Sequence, residues 1–152
     1  MGTTAGMASV NVLVRRTPEQ VWEVLSDGRA YASWVLGTRE VRSVDDGFPA
    51  VGTALHYTVG WGPLALRGRT TVRAADPARL LGLEADAGLL GTARIVIELT
   101  PWGADTVVVL DEHPLTGTGA WLHNPVTDVV SLVRQEPMMR RLARLVEPRH
   151  PR

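Results

Sequence analysis

Cysteine is absent from this chain of 152 residues, and so is lysine. The lack of cysteine excludes disulfides, thiolate nucleophiles, zinc ribbons and iron–sulfur clusters, which suits a reducing compartment. Sixteen arginines balance sixteen acidic residues, so the formal net charge is zero. A neutral chain has no global field that attracts nucleic acid or an anionic membrane, and we therefore expect no DNA partner.

Long apolar runs and the common cofactor motifs are also missing. Neither a signal peptide nor a membrane span is recognisable, which predicts a cytoplasmic protein without a membrane span. The sequence contains no Walker loop, dinucleotide-binding glycine turn, EF-hand loop, His-Glu-x-x-His motif or nucleophile elbow, and its four histidines are scattered. We expect neither a metal nor a cofactor.

The length and the apolar content, 45%, are those of one globular domain that buries its own core. We expect a single domain over residues 1–152, with residues 1–8 disordered and residues 149–152 forming a tail. The oligomeric state cannot be read from these features.

Two helices are predicted near the N-terminus, after a strand at 9–14 whose valines alternate. Thr17 is a good N-cap, Pro18 fits the first helical position and Gln20 the third. The first helix should end near residues 27 and 28. A second short helix or turn is predicted from Arg29 to Trp34.

Six strands should follow, at 40–44, 53–59, 64–75, 80–85, 93–100 and 106–113, separated by glycine, proline and aspartate. In the strand at 64–75, arginines alternate with small or apolar residues, so Gly68, Thr70 and Ala74 should face inward. A C-terminal helix capped by Asn124 should either be kinked at Pro137 or consist of two segments. The prediction is an α+β fold in which a strongly curved antiparallel sheet of about seven strands encloses this helix.

Several segments resemble the SRPBCC or START-like superfamily, which includes bacterial polyketide cyclase/dehydrase-like proteins and carriers of the Bet v 1 type. The opening strand is followed by TPEQVWEVLSD at 17–27, and then by YASWV at 31–35 and FPAVGT at 48–53. The resemblance covers nearly the whole chain. It implies a helix-grip fold with a deep, largely apolar cavity between the sheet and the last helix, although the family's last helix is usually unbroken.

Such a cavity predicts the binding of a hydrophobic small molecule, such as a lipid or a polyketide. The residues expected to line it are Tyr57, Trp61, Thr70, Val72, Leu83, Ile95, Ile97, Trp121, Val130 and Val133. Trp61 and Trp121 lie in predicted loops that could gate an entrance. Alternatively, core side chains could fill the space completely.

An enzymatic alternative rests on the polar run Asp111, Glu112 and His113, at the end of an apolar strand. A carboxylate and an imidazole near a cavity could perform the acid–base chemistry of a cyclase, an aromatase or a dehydratase. Strand alternation places Glu112 on one face and its two neighbours on the other, and the pattern does not decide which face is inside. His56 is a further candidate, although the apolar residues beside it suggest that it faces outward.

A third hypothesis is a protein- or RNA-interaction module that uses the arginine-rich C-terminus. Arg140, Arg141 and Arg144 lie opposite an apolar stripe formed by Met138, Leu142 and Leu145. The simpler interpretation of these arginines is a solvated helix face.

Overall fold

The alternating patterns produce seven strands in a computed structural model that describes residues 8–35, 38–59, 63, 65–86, 91–116 and 125–150. The elements in chain order are β1 (Ala8–Val14), α1 (Pro18–Leu25), a 3-10 turn (Gly28–Ala30), α2 (Tyr31–Trp34), β2 (Thr38–Val44), β3 (Ala54–Val59), β4 (Leu66–Asp76), β5 (Leu80–Asp86), β6 (Thr92–Trp102), β7 (Asp105–Thr116) and α3 (Pro125–Arg149).

All neighbouring strands are antiparallel, in the order β1-β7-β6-β5-β4-β3-β2. The sheet is open, with β1 and β2 at its edges. Consecutive strands from β2 to β7 pair with one another, and β1 joins at the far end beside β7. The predicted α+β fold with a seven-stranded antiparallel sheet and a C-terminal helix is therefore confirmed.

The N-terminus of α1 is stabilised as its sequence predicts. The Thr17 hydroxyl accepts a hydrogen bond from the Gln20 amide at 3.3 Å, and the Gln20 side chain accepts one from the Thr17 amide at 3.0 Å. This reciprocal capping box satisfies two backbone donors that the first turn leaves without partners. The apolar side of α1, with Val21, Val24 and Leu25, is completely buried.

Helix α3 is a single helix that contains Pro137, so the alternative of two separate segments is wrong. The predicted kink at that residue stays a prediction. The C-terminal half of α3 enters the core through Met139, Leu142 and Val146, whose side chains are at most 1% exposed. Arg140, Arg141 and Arg144 are exposed, which confirms the solvated face.

The end of α3 is attached to the corner between β1 and α1. The Arg16 guanidinium donates to the Glu147 carbonyl at 2.6 Å and also to the carbonyl of His150, the residue that follows α3. His150 Nε2 lies 3.1 Å from a carboxylate oxygen of Glu23. These contacts hold the helix against the first elements of the chain.

The sheet has one face that carries the core and one that faces solvent, here called the inner and the outer face. Residues directly opposite each other on antiparallel strands share a face. Val14, Val108 and Leu99 belong to the inner face and are at most 3% exposed, whereas Leu13, one residue away, is 46% exposed.

The assignment of Ala74 to the inner face was wrong. The pairing of β4 with β5 shifts between Val72 and Ala74, which marks a β-bulge. A bulge inserts one residue and reverses the side-chain alternation beyond it. Ala75, opposite the buried Leu81, therefore packs against the core, and Ala74 lies opposite Gly82 on the outer face.

Candidate functional site

Burial changes along the inner face. One cross-strand row, formed by Leu110, Ile97 and Leu81, is at most 2% exposed. In the next row, toward the N-terminal end of β6, Glu112 and Ile95 are only half-buried. On β6 and β7 the inner face is thus fully covered in the first row and half-buried in the next, whereas Leu83 on β5, opposite Ile95, is only 3% exposed.

The third row continues this trend. Ala93 and Ala85 lie opposite each other and are both half-buried, whereas Thr70, which faces Ala85 from β4, is 5% exposed. We call the half-buried set formed by Ala85, Ala93, Ile95 and Glu112 the inner patch. It combines two small side chains, one branched apolar side chain and one carboxylate.

A buried pair of hydroxyl groups lies beyond the inner patch. The Tyr57 and Thr70 side-chain oxygens are hydrogen-bonded at 2.8 Å. The Tyr57 ring covers Gly68 so closely that a Cβ atom on this glycine would lie 2.4 Å from a ring carbon. Gly68 therefore creates the space that brings the Tyr57 hydroxyl to Thr70.

Strand β7 places Glu112 on the inner face. The sequence pattern had not decided whether Glu112 or its neighbours Asp111 and His113 face inward. Glu112 lies opposite Ile95, in register with the inner set. Asp111 lies opposite Val96, and His113 opposite the exposed Arg94, so both belong to the outer face.

His56 also belongs to the outer face, as its neighbours suggested. It lies opposite Arg69, and its Nε2 atom is 3.4 Å from a carboxylate oxygen of Asp45. The other Asp45 oxygen accepts a hydrogen bond of 3.0 Å from the Ala54 amide. The three residues predicted as acid–base candidates are therefore not brought together, because Glu112 is separated from both histidines by the sheet.

Six of the residues predicted to line a cavity share the inner face: Tyr57, Thr70, Val72, Leu83, Ile95 and Ile97. Of these, only Ile95 is half-buried, and the other five belong to the tightly packed core. Trp61 and Trp121 lie outside the described residues. Val130 and Val133 are positions of α3, but their side chains also lie outside the described part of the chain.

Ala85 and Ala93 were absent from the predicted ligand-contacting set. The alternation of side chains could have identified them. Ala85 alternates with the inward Leu83 on β5, and Ala93 alternates with the inward Ile95 on β6. A small residue at an inward position leaves volume that a ligand can occupy.

A separate depression of about 430 Å³ lies on the outer face, lined in part by Arg73, Glu84 and Arg94. Arg73 and Glu84 are 3.5 Å apart and solvent-accessible. Such an exposed pair contributes little binding energy. Within the described ranges, no three metal-binding side chains cluster, and no helix is long and apolar enough to cross a membrane.

A seven-stranded antiparallel sheet with short helices after β1 and a long C-terminal helix is the architecture of helix-grip proteins. A family model described as polyketide cyclase/dehydrase and lipid transport matches residues 7–147. The chain belongs to this family. No curated protein matches the sequence at a significant level.

Solved structures support the same fold. A protein from Chromobacterium violaceum has a TM-score of 0.73 and 16% identity, with 94% of this chain and 99% of that one covered. The Zhui aromatase/cyclase from Streptomyces sp. R1128 has a TM-score of 0.69 and 19% identity, with 94% of each chain covered. Ara h 8.0201 has a TM-score of 0.69 and 10% identity, with 94% and 98% covered.

Proposed function

We propose that this protein binds a hydrophobic small molecule, a lipid or a polyketide-like compound, against the inner patch, between the sheet and α3. The observation that carries the proposal is the uneven burial of the inner face. Its side chains are inaccessible from Leu81 through Ile97 to Leu110, but half-buried at Ala85, Ala93 and Ile95.

The physical argument starts from the small side chains. Ala85 and Ala93 are small, lie opposite each other and stay half-buried, and covering apolar surface with a ligand contributes about 25 cal/mol of binding free energy per Å². The core on one side supplies a rigid wall, because Leu83 and Val72 are at most 3% exposed. The family description, which includes lipid transport, agrees with this use of the fold.

The direct test is to purify the protein from cells, denature it and identify co-purified compounds by mass spectrometry. In parallel, the neutral fluorophore 1-aminoanthracene serves as a probe of apolar binding in solution. We expect fluorescence enhancement on binding, and competition by the compounds extracted from the protein.

A pair of matched variants locates the binding site. Ala85→Leu adds a bulky side chain to the inner patch, whereas Ala74→Leu makes the same change on the outer face of the neighbouring strand. Ala85→Leu should weaken probe binding at least about 10-fold, equivalent to roughly 1.4 kcal/mol, and Ala74→Leu should change it less than about 2-fold. Equal effects of the two variants, or no binding by the parent protein, would contradict the proposal.

Of the three acid–base candidates, one remains for the alternative in which the protein is an enzyme. Glu112 is the candidate general acid or base that lies on the same face as the inner patch. If the co-purified compound is converted by the protein, Glu112→Gln should abolish the conversion while the compound still binds. His56→Ala and His113→Ala, on the opposite face, should leave the conversion unchanged.

A further inference from the structure

The two threonines that are buried in the described part of the chain have different hydrogen-bond partners. Thr106 is inaccessible to solvent, and its hydroxyl donates to the Arg16 backbone carbonyl at 2.8 Å, which fixes its direction. Thr70 is 5% exposed, and its partner is the Tyr57 hydroxyl at 2.8 Å, where either oxygen can be the donor. Thr106 therefore supports the backbone, whereas Thr70 belongs to a pair of side-chain hydroxyl groups on the inner face.

The Thr70 hydroxyl keeps hydrogen-bonding capacity in both arrangements of this pair. A hydroxyl group has one donor hydrogen and two acceptor lone pairs. If Tyr57 donates, the hydrogen of Thr70 stays available, and if Thr70 donates, its own lone pairs stay available. Within the described residues, Tyr57 is the one hydrogen-bond partner of the Thr70 side chain. This capacity of Thr70 does not depend on the further contacts that Tyr57 makes.

Thr70 lies beside the inner patch. It is directly opposite Ala85 on the neighbouring strand β5, and Ala85 is in turn opposite Ala93 on β6. Opposite side chains of an antiparallel pair have Cβ atoms about 4.5–5.5 Å apart. A ligand atom in contact with Ala85 can therefore come within hydrogen-bonding distance of the Thr70 hydroxyl. Because Thr70 is buried, water competes little for such a bond.

We propose that the Thr70 hydroxyl is the hydrogen-bonding group of the binding site, and that the ligand carries a neutral hydroxyl group, of an alcohol or a phenol, which it places over Ala85. This proposal rests on the proposed function, since it concerns the polar contact of the same ligand. A ligand hydroxyl accepts when Thr70 donates and donates when Thr70 accepts, so it matches both arrangements of the pair with Tyr57.

The test compares 2-naphthol with naphthalene, which have the same ring system and differ by one hydroxyl group. Dissociation constants come from competition with 1-aminoanthracene at pH 7, after the affinity of the fluorophore has been measured for each variant. Apolar contact alone favours naphthalene, because burying a hydroxyl group without a partner costs free energy. With the proposed contact, 2-naphthol should bind the parent protein at least as tightly as naphthalene.

Two substitutions on adjacent residues of β4 assign the contact to one hydroxyl group. Thr70→Val keeps the shape of the side chain and should weaken 2-naphthol about 5-fold, the effect of one net hydrogen bond, while changing naphthalene less than about 2-fold. Thr71→Val makes the same change opposite Glu84 on the outer face and should change neither affinity. Thr70→Ser keeps a hydroxyl group and should keep the relative affinities of the parent protein.

The outcomes separate this proposal from the proposed function. If naphthalene binds the parent protein more tightly than 2-naphthol, the hydroxyl contact is refuted while hydrophobic binding stands, and this comparison decides even if Thr70→Val fails to fold. The contact is also refuted if Thr70→Val weakens both ligands equally, or weakens 2-naphthol no more than Thr71→Val does. If neither the fluorophore nor either naphthalene compound binds, the proposed function fails and the hydroxyl contact fails with it.

Discussion

Gly68 is the position at which a single methyl group should do most damage to the inner face. A Cβ atom added there would lie 2.4, 2.9 and 3.1 Å from three ring carbons of Tyr57. Distances this short force the ring to move. Movement of the ring also removes its hydroxyl from Thr70, to which it is now hydrogen-bonded at 2.8 Å. Both hydroxyl groups are buried, so water cannot readily replace the lost partner.

The cost of Gly68→Ala can be worked out from these contacts. Overpacking in a dense core costs about 1–3 kcal/mol, and the lost hydrogen bond costs about 1 kcal/mol. The smaller backbone entropy of alanine in the unfolded chain offsets roughly 0.5–1 kcal/mol. The free energy of unfolding should therefore fall by about 2 kcal/mol, a large part of the stability of a domain this size.

Urea unfolding followed by tryptophan fluorescence measures this change, with Gly82→Ala as the control. A Cβ atom on Gly82 would meet the Ala74 Cβ at 3.2 Å on the outer face, so its cost should stay below about 1 kcal/mol. In a Tyr57→Val background, the penalty of Gly68→Ala should disappear, because the ring is gone. The same penalty in both backgrounds, or equal penalties at the two glycines, would refute the steric argument.

Two further substitutions test the elements that flank the sheet. Thr17→Ala removes half of the capping box with Gln20 and should lower the free energy of unfolding by about 1 kcal/mol, whereas Thr58→Ala, a partly exposed strand position, should change it less; equal losses in urea unfolding would contradict the capping role. Complete burial raises the pKa of Tyr31 well above its ordinary value, so above pH of about 10 the unfolded chain releases a proton that the folded chain keeps. Stability should fall there by about 1.4 kcal/mol per pH unit from this group, and Tyr31→Phe should remove that part of the slope in urea unfolding between pH 9 and 11; an unchanged slope would show that the phenol ionises without opening the core.

The sequence predicts most of the fold because its local signals agree with one another. Proline, threonine and glutamine in the first helix, and alternating valines in β1, leave little choice of element type. The bulge in β4 was missed for a physical reason. An extra residue is detected only through the partner strand, and nothing in the local pattern around Arg73 distinguishes a bulge from continued alternation.

The site was less predictable than the fold, because its properties depend on the alignment of neighbouring strands. The local pattern around Glu112 fits either face, since valine or leucine accompanies both sets of residues in β7. The pairing of β7 with β6 decides the matter by placing Glu112 opposite Ile95. Alternation within each strand places Ala85 and Ala93 inward, but only the pairing of β5 with β6 shows that they lie opposite each other.

The proposed binding site and the most deeply buried side chains occupy different parts of the same sheet face. Where α3 contributes Leu142 and Val146, both completely buried, side chains fill the space and contribute free energy of folding. Ala85 and Ala93 lie opposite each other and are only half-buried, so they contribute less buried apolar surface. A larger side chain at Ala85 or Ala93 should therefore raise the free energy of unfolding if it fits, and lower it if the space beside these residues is already filled.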